Sequence, residues 1–351
     1  VLALLGLGLV LQASHASTIL APADFAVELR RELLLRVLAL GVLLGAMRLG
    51  PSRVRHLIPL GVAGSLLLLI LIWVPGLGVS VNGARRWLDL GVSVQPSDLA
   101  RIAVVLWVAD RCVRLGPKVR EWRAGVLPML MVVAVFVVTI VIQPDLGGSL
   151  LLLVCALATM WVGGVGLGTV GMPLVLAGTL GVAAGGTFLP YVRRRLGMWL
   201  GGVENEQVSD SVDALANAGW VGEGLTHGEL RNAGFKYMDS DFVYALVGEE
   251  LGLLGLLAVL GLLLAFLWYA LRMVLALRDR FDAVAVFGLC IGIAFQALVH
   301  IQVSAGMAPP KGMTLPFLSA GGTSLLVSCL AAGLALGAVR SQTPHAASGT
   351  E

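Results

Sequence analysis

The chain has 351 residues, of which 58% are apolar and only 13% charged, with a formal net charge of +3. A water-soluble domain carries about 25% charged residues, so an ordinary globular enzyme is excluded and no nucleic-acid partner is expected. The composition, with a mean hydropathy of +0.92, places the chain in a bilayer.

Apolar runs long enough to span recur along the whole chain, at 1–17, 33–49, 57–74, 97–115, 126–142, 146–163, 170–189, 251–272, 283–304 and 318–340. Each approaches the ~20 residues that a ~30 Å hydrocarbon core requires. The expected architecture is therefore an all-α integral membrane protein of about ten transmembrane helices. The first run ends in "SHA", a signal-peptide-like end, but it lacks a basic start and many equally apolar runs follow, so it is read as the first span. The spacers 47–56, 111–123 and 272–281 are short and basic, which the positive-inside rule assigns to the cytoplasm. The spacers 18–32, 75–96, 190–241 and 305–317 are longer and mixed. Cations divide evenly between the two faces. An outer face so rich in cations suggests an anionic ligand; the alternative is that long loops collect charge. Residues 341–351 read as a disordered tail behind a single polytopic domain, 1–340. Cys112, Cys155, Cys290 and Cys329 lie in or beside apolar runs without a CxxC or Cys/His pattern, and are expected to be inert packing.

Four clusters carry chemistry. In "VNGARRWLDLGVSVQPSDLARI" (81–102), Ser97 or Asp98 can cap a helix that opens at Pro96. Capping and an interfacial Trp87 leave Arg85, Arg86 and Arg101 unexplained, and arginine forks suit diphosphate oxygens. In "IQPDLGGSLLLL" (142–153), Asp145 opens another helix, where the helix dipole favours it. The stretch "KYMDSDFVYALVGEELG" (236–252) places Asp239, Asp241, Glu249 and Glu250 where a polar loop feeds an apolar helix. Along a helix Asp241 and Glu249 would be about 12 Å apart, too far for the carboxylate pair of a glycosidase at about 5–9.5 Å. Asp241, at the junction, is the carboxylate placed to face both water and a membrane-held substrate, although 239–241 could equally cap the helix. In "SAGMAPPKGMTLPFLSAGGTSLL" (304–326), Gly- and Pro-rich backbone between two spans holds Lys311 as its sole cation. Such backbone survives at membrane depth only when buried or lining a wet cavity.

The segments "VNGARRWLDLG…QPSDLARI", "QPDLGGSLLLL", "SDFVYALVGEELGLLG" and "PPKGMTLPFLSAGGTSLL" resemble, in order and spacing, the signatures of the SEDS proteins (shape, elongation, division and sporulation). The resemblance covers nearly all of 1–340, and "NGARRW", "VGEELG" and "KGMTLPFLS" are closer to the division branch than to the elongation branch. It implies a ten-helix fold in the bacterial cytoplasmic (inner) membrane at the division septum, with an extracytoplasmic loop, 190–241, between helices 7 and 8. It implies a peptidoglycan glycosyltransferase that polymerises lipid II, a class b penicillin-binding protein as transpeptidase partner, and other division proteins nearby. The family's catalytic aspartate maps to Asp241. The expected substrate-binding set is Arg85, Arg86, Trp87, Gln95, Ser97, Arg101, Gln143, Asp145, Lys311, Ser319, Gly321, Gly322 and Ser324. No organic cofactor and no dedicated metal site are expected; a divalent cation (Mg or Mn) would be shared with the substrate diphosphate. The chain departs from the family pattern at Asp239 (usually His), at "FKYM", at Asp210-Ser211, at "ANAG" (216–219) and at Ala320-Gly321-Gly322-Thr323. Asp239 is thereby a rival for the role of base. A lipid II flippase and a non-catalytic scaffold are the alternatives from other functional classes, and an elongation-type polymerase the alternative within the family.

Overall fold

The computed structural model describes residues 1–81, 84–89, 93–173, 206–228 and 238–342, with isolated positions between 175 and 197. Among the described residues, helices are delimited in nine of the ten expected spans: α1 (Leu2–Ile19), α2 (Pro22–Val54), α3 (Ile58–Leu71), α4 (Pro96–Leu115), α5 (Leu127–Ile142), α6 (Leu146–Val162), α8 (Val243–Ala276), α9 (Arg280–Ser304) and α10 (Gly322–Gln342). Between α6 and α8 lies a short amphipathic helix, α7 (Glu206–Ala216). Most of the expected seventh span, much of the 190–241 loop and the tail beyond 342 lie outside the described residues. Among the described residues, six stretches are long and apolar enough to cross a bilayer, including Leu2–Ile19, Trp122–Ile142 and Gly322–Arg340. Leu34, Leu60, Val138 and Leu264 are among the large apolar side chains left exposed on the helices, as lipid contact requires.

Two expectations are corrected. Residues 18–32 were expected as a loop, but α2 begins at Pro22. Its charges pair along the helix, Glu28 with Arg31 at 3.2 Å and Glu32 with Arg36, each within helical reach. Residues 75–96 were also expected as loop, and they hold an antiparallel sheet in the order β1 (Gly78–Val81), β2 (Ala84–Asp89), β3 (Ser93–Val94).

The chain divides into two compact units. One comprises 39–174, 267–293 and 322–351. At its centre α4 packs against α3, α5, α6 and α10, and Ala100, Val104, Val108, Met129, Phe136 and Ala156 form part of its buried core. Because α4 is interior, its charges must be satisfied there. Asp110, 8% exposed, accepts from Arg55 Nε at 2.6 Å and Arg114 Nε at 2.7 Å. The α2–α10 crossing depends on small residues: a Cβ on Gly50 would lie 3.0 Å from the Gly337 carbonyl carbon, the close backbone approach common between membrane helices.

The other unit comprises 1–38, 175–266 and 294–321. Its α7 is fastened by buried Ser211, which donates to the Ser304 carbonyl at 2.8 Å. Burial, then the neighbouring Glu206 and Asp213, raise the Asp210 carboxyl above its ordinary range. Helix α8 is broken near its start at Gly252 (φ 66°, ψ −163°). A helix break strands backbone donors and acceptors, and the loop 219–224 satisfies them here. Leu253 and Leu254 N–H donate to the Gly219 and Trp220 carbonyls at 3.0 and 3.2 Å, while Glu223 and Gly224 N–H donate to the Glu249 and Glu250 carbonyls at 2.9 and 3.1 Å. Glu249 and Glu250 are buried, and Glu250 accepts from the Ser14 hydroxyl at 2.6 Å.

Candidate active site

In the second unit, Asp241 lies in the turn 238–242 that leads into α8. The helix proper starts with Ala245 N–H donating to the Phe242 carbonyl at 2.9 Å. The two carbonyls before Asp241 are both held from other elements. Asp239 C=O accepts from Gln12 Nε2 at 2.8 Å and from Ala320 N–H at 3.1 Å. Ser240 C=O accepts from the Ser319 hydroxyl at 2.7 Å, and that hydroxyl accepts in turn from Leu315 N–H at 2.8 Å. The Asp241 carboxylate rests over Gly312, where a Cβ would come within 2.9 Å of Oδ2. Lys311 precedes that glycine, so the cation and the carboxylate belong to neighbouring backbone.

The 311–320 backbone is itself fixed. Gln296 and His300, one turn apart on α9, are 3% and 1% exposed. Gln296 Nε2 donates to the Thr314 carbonyl at 2.9 Å. His300 Nδ1 contacts the Met313 carbonyl at 2.6 Å, so this nitrogen carries the proton, and Nε2 accepts from Tyr244 N–H. Phe317 sits in the left-handed region (φ 69°), buried and edge-on to Phe266 at 6.0 Å. Irregular backbone of this kind is stable beside apolar helices because its polar groups are met. Gln12, Gln296 and His300 were not anticipated; the signal available was a polar residue inside an otherwise apolar span.

The other polar cluster belongs to the first unit. Gln95, not Ser97 or Asp98, occupies the cap position of α4, with Pro96 next and no side-chain cap bond. Ser97 Oγ instead reaches Asp145 Oδ2 at 3.3 Å, as does Gln95 Nε2 at 3.2 Å. Asp145 caps α6 through Oδ1, which accepts from Gly148 N–H at 2.9 Å. The register of β1 and β2 slips by one residue at Arg86, a bulge of the sort that re-aims a side chain. Arg86 Nη2 donates to the Pro144 carbonyl at 2.6 Å and Nη1 lies 3.9 Å from Asp145. Arg85 stays exposed and Trp87 half-buried.

The expected binding set therefore divides. Asp241, Lys311, Ser319 and Gly321 lie in one unit; Arg85, Arg86, Trp87, Gln95, Ser97, Arg101, Gln143, Asp145, Gly322 and Ser324 lie in the other. Arg101, expected at a membrane edge, is only 5% exposed, because position 101 falls on the interior face of α4 with Ser97, Val104 and Val108. Gln143 is buried, donating to the Leu69 carbonyl at 2.9 Å. Ser319 is buried and serves the backbone. Arg85 and Lys311 retain exposure. Among the described residues, no three His, Cys, Asp or Glu side chains converge as a metal site.

Replacing Asp145 with Ala should lower stability by about 2 kcal/mol, combining a lost cap with an Arg86 stranded beside it. Asp145→Asn retains the cap acceptor and should lose less than half of that. Thermal melting in detergent reads both.

Apolar spans beside irregular, hydrogen-bonded backbone, with a carboxylate at a helix entrance, define a multi-pass membrane protein with polar groups gathered at that entrance. The family described as cell cycle protein (FtsW, RodA, SpoVE) matches residues 1–343, and the chain belongs to it. A protein of Trichlorobacter lovleyi described as a probable peptidoglycan glycosyltransferase FtsW is 31% identical over 352 residues, covering 96% of this chain and 90% of its own. A chain from a peptidoglycan synthase complex that coordinates polymerisation and crosslinking matches at TM-score 0.77 and 26% identity, over 98% of each chain. Thermus thermophilus RodA, a rod shape determining protein, matches at TM-score 0.69 and 26% identity, over 97% of this chain and 95% of its own. The fold is thus the SEDS membrane fold.

Proposed function

We propose that this protein is a peptidoglycan glycosyltransferase of cell division, that it polymerises lipid II, and that Asp241 is its general base. The observation that carries the proposal is the seat of Asp241: a carboxylate over the bare backbone of Gly312, beside Lys311, on a turn anchored through both preceding carbonyls. The naming of its relatives as FtsW supports the division role.

Lipid II is a disaccharide-pentapeptide on a polyprenyl diphosphate. Asp241 takes the proton of the acceptor GlcNAc 4-hydroxyl. That oxygen bonds to C1 of the donor MurNAc as the C1–O bond to the diphosphate breaks, and the bonding pair leaves with the diphosphate. General-base help is worth about 10²–10⁴ in rate. Lys311, half-buried on the backbone next to Gly312, is the cation assigned to phosphate oxygens, with charge stabilisation that strengthens as the leaving group departs. A divalent cation would be held by the substrate phosphates and at most the carboxylates of the 239–241 turn, and would supply further charge stabilisation. The partner is a class b penicillin-binding protein, supported by the structural likeness to a chain of a synthase complex. The place of action is the cytoplasmic membrane at the septum.

The test is lipid II polymerisation by the purified protein with candidate class b partners. Glycan strands are expected with the right partner. Translocation of lipid II in liposomes without any polymer would replace this reading with a flippase.

A further inference from the structure

The first helix reaches into the catalytic turn. Gly8 and Gln12, four residues apart, share a face of α1. At Gly8 the helix approaches the 318 loop so closely that a Cβ would lie 2.7 Å from the Leu318 carbonyl oxygen. One turn on, Gln12, 5% exposed and preceded by fully buried Leu11, donates Nε2–H to the Asp239 carbonyl. An amide inside an apolar span is costly unless it is bonded, and this one has a defined acceptor.

We propose that Gln12 is a positioning residue for Asp241. The proposal rests on the general-base reading above. With the Asp239 and Ser240 carbonyls both held, the two peptide planes before Asp241 are fixed, and with them the direction in which its side chain leaves the backbone. The carboxylate lies against the backbone of Gly312, so its aim follows the seating of the turn. Without the Gln12 amide, the Asp239 carbonyl keeps Ala320 N–H alone and the 239–240 plane can rotate about that single bond. A displacement of about 1 Å in a reacting group costs on the order of 10²-fold in rate.

The experiment is steady-state lipid II polymerisation by the full protein with its partner. Gln12→Met keeps the length and loses the donor; kcat should fall about 10–100-fold with KM unchanged. Gln12→His places a ring N–H at similar reach and should recover most of kcat. Gln12→Glu donates only when protonated, so its kcat relative to wild type should rise as pH falls, which a merely space-filling role would not produce. Gln12→Met with kcat within about twofold of wild type, or a Gln12→Glu variant with an unaltered pH profile, would overturn the proposal. Asp241→Asn run alongside separates the two claims. An active Asp241→Asn removes the base and the positioning role together; an inactive one beside a fully active Gln12→Met removes only the positioning role.

Discussion

Asp241→Asn is expected to abolish glycan strands while leaving membrane expression and partner binding as in wild type. The substitution is nearly isosteric, so the turn 238–242 keeps its shape and the Gln12, Ser319 and Ala320 bonds, all made to backbone, persist. What disappears is the capacity to accept a proton. Loss of a general base costs about 10²–10⁴ in rate, enough to take a gel-based polymer assay to background. Asp239 is the competing base, two residues earlier. It is the Asp241 carboxylate that lies over Gly312, next to Lys311 in the chain. Asp239→Asn should therefore retain activity within about tenfold, the lower reach of general-base effects being near 10². The reverse pattern, with Asp239→Asn inactive and Asp241→Asn active, would transfer the role.

Gly252→Ala should cost about 4 kcal/mol, the sum of a backbone conformation nearly closed to side chains and overpacking against backbone. At φ 66° and ψ −163° the residue is in glycine territory. An added Cβ would overlap the Gly222 nitrogen and lie 2.6 Å from the Val221 nitrogen and 2.7 Å from the Trp220 carbonyl carbon. Those atoms belong to backbone that cannot swing aside without breaking the bonds from 219–224 to 249–254. Gly261→Ala on the same helix is the control: a Cβ there meets nothing within 4 Å, so it should be neutral or gain up to about 1 kcal/mol of helix propensity. Thermal melting in detergent gives the ranking, and amide exchange at Glu223, Gly224, Leu253 and Leu254 shows whether the strap has detached.

The apolar spans were legible because a bilayer demands uninterrupted hydrophobicity, and the boundaries of α4, α5 and α6 fall within a residue or so of the expected ones. The start of α2 was not legible by that criterion, since Asp24, Glu28, Arg31 and Glu32 read as loop; the i,i+3 and i,i+4 spacing of their charges was the available sign. The strands were missed because β1 and β3 are four and two residues long and β2 carries two arginines. Motif reading found Asp145 at a helix start and Asp241 at a junction, both placed there by the structure. It could not foresee that Ser97 would leave its own helix terminus for Asp145, or that Arg101 would turn inward, because both outcomes depend on which neighbours α4 acquires. The strap 219–224 answers to no local pattern; its bonds exist only once the break at Gly252 exists.

Arg36 carries a consequence for biogenesis. Its guanidinium is met by Glu32 four residues away, by the Leu5 carbonyl 31 residues earlier, and by the Leu318 carbonyl 282 residues later. A charged arginine in a membrane helix is costly unless it is paired and bonded. Glu32 and the Leu5 carbonyl of α1 meet part of that cost within the first two helices. The Leu318 acceptor is made 282 residues after Arg36, so this guanidinium is fully met only once the 318 loop has folded back against α2.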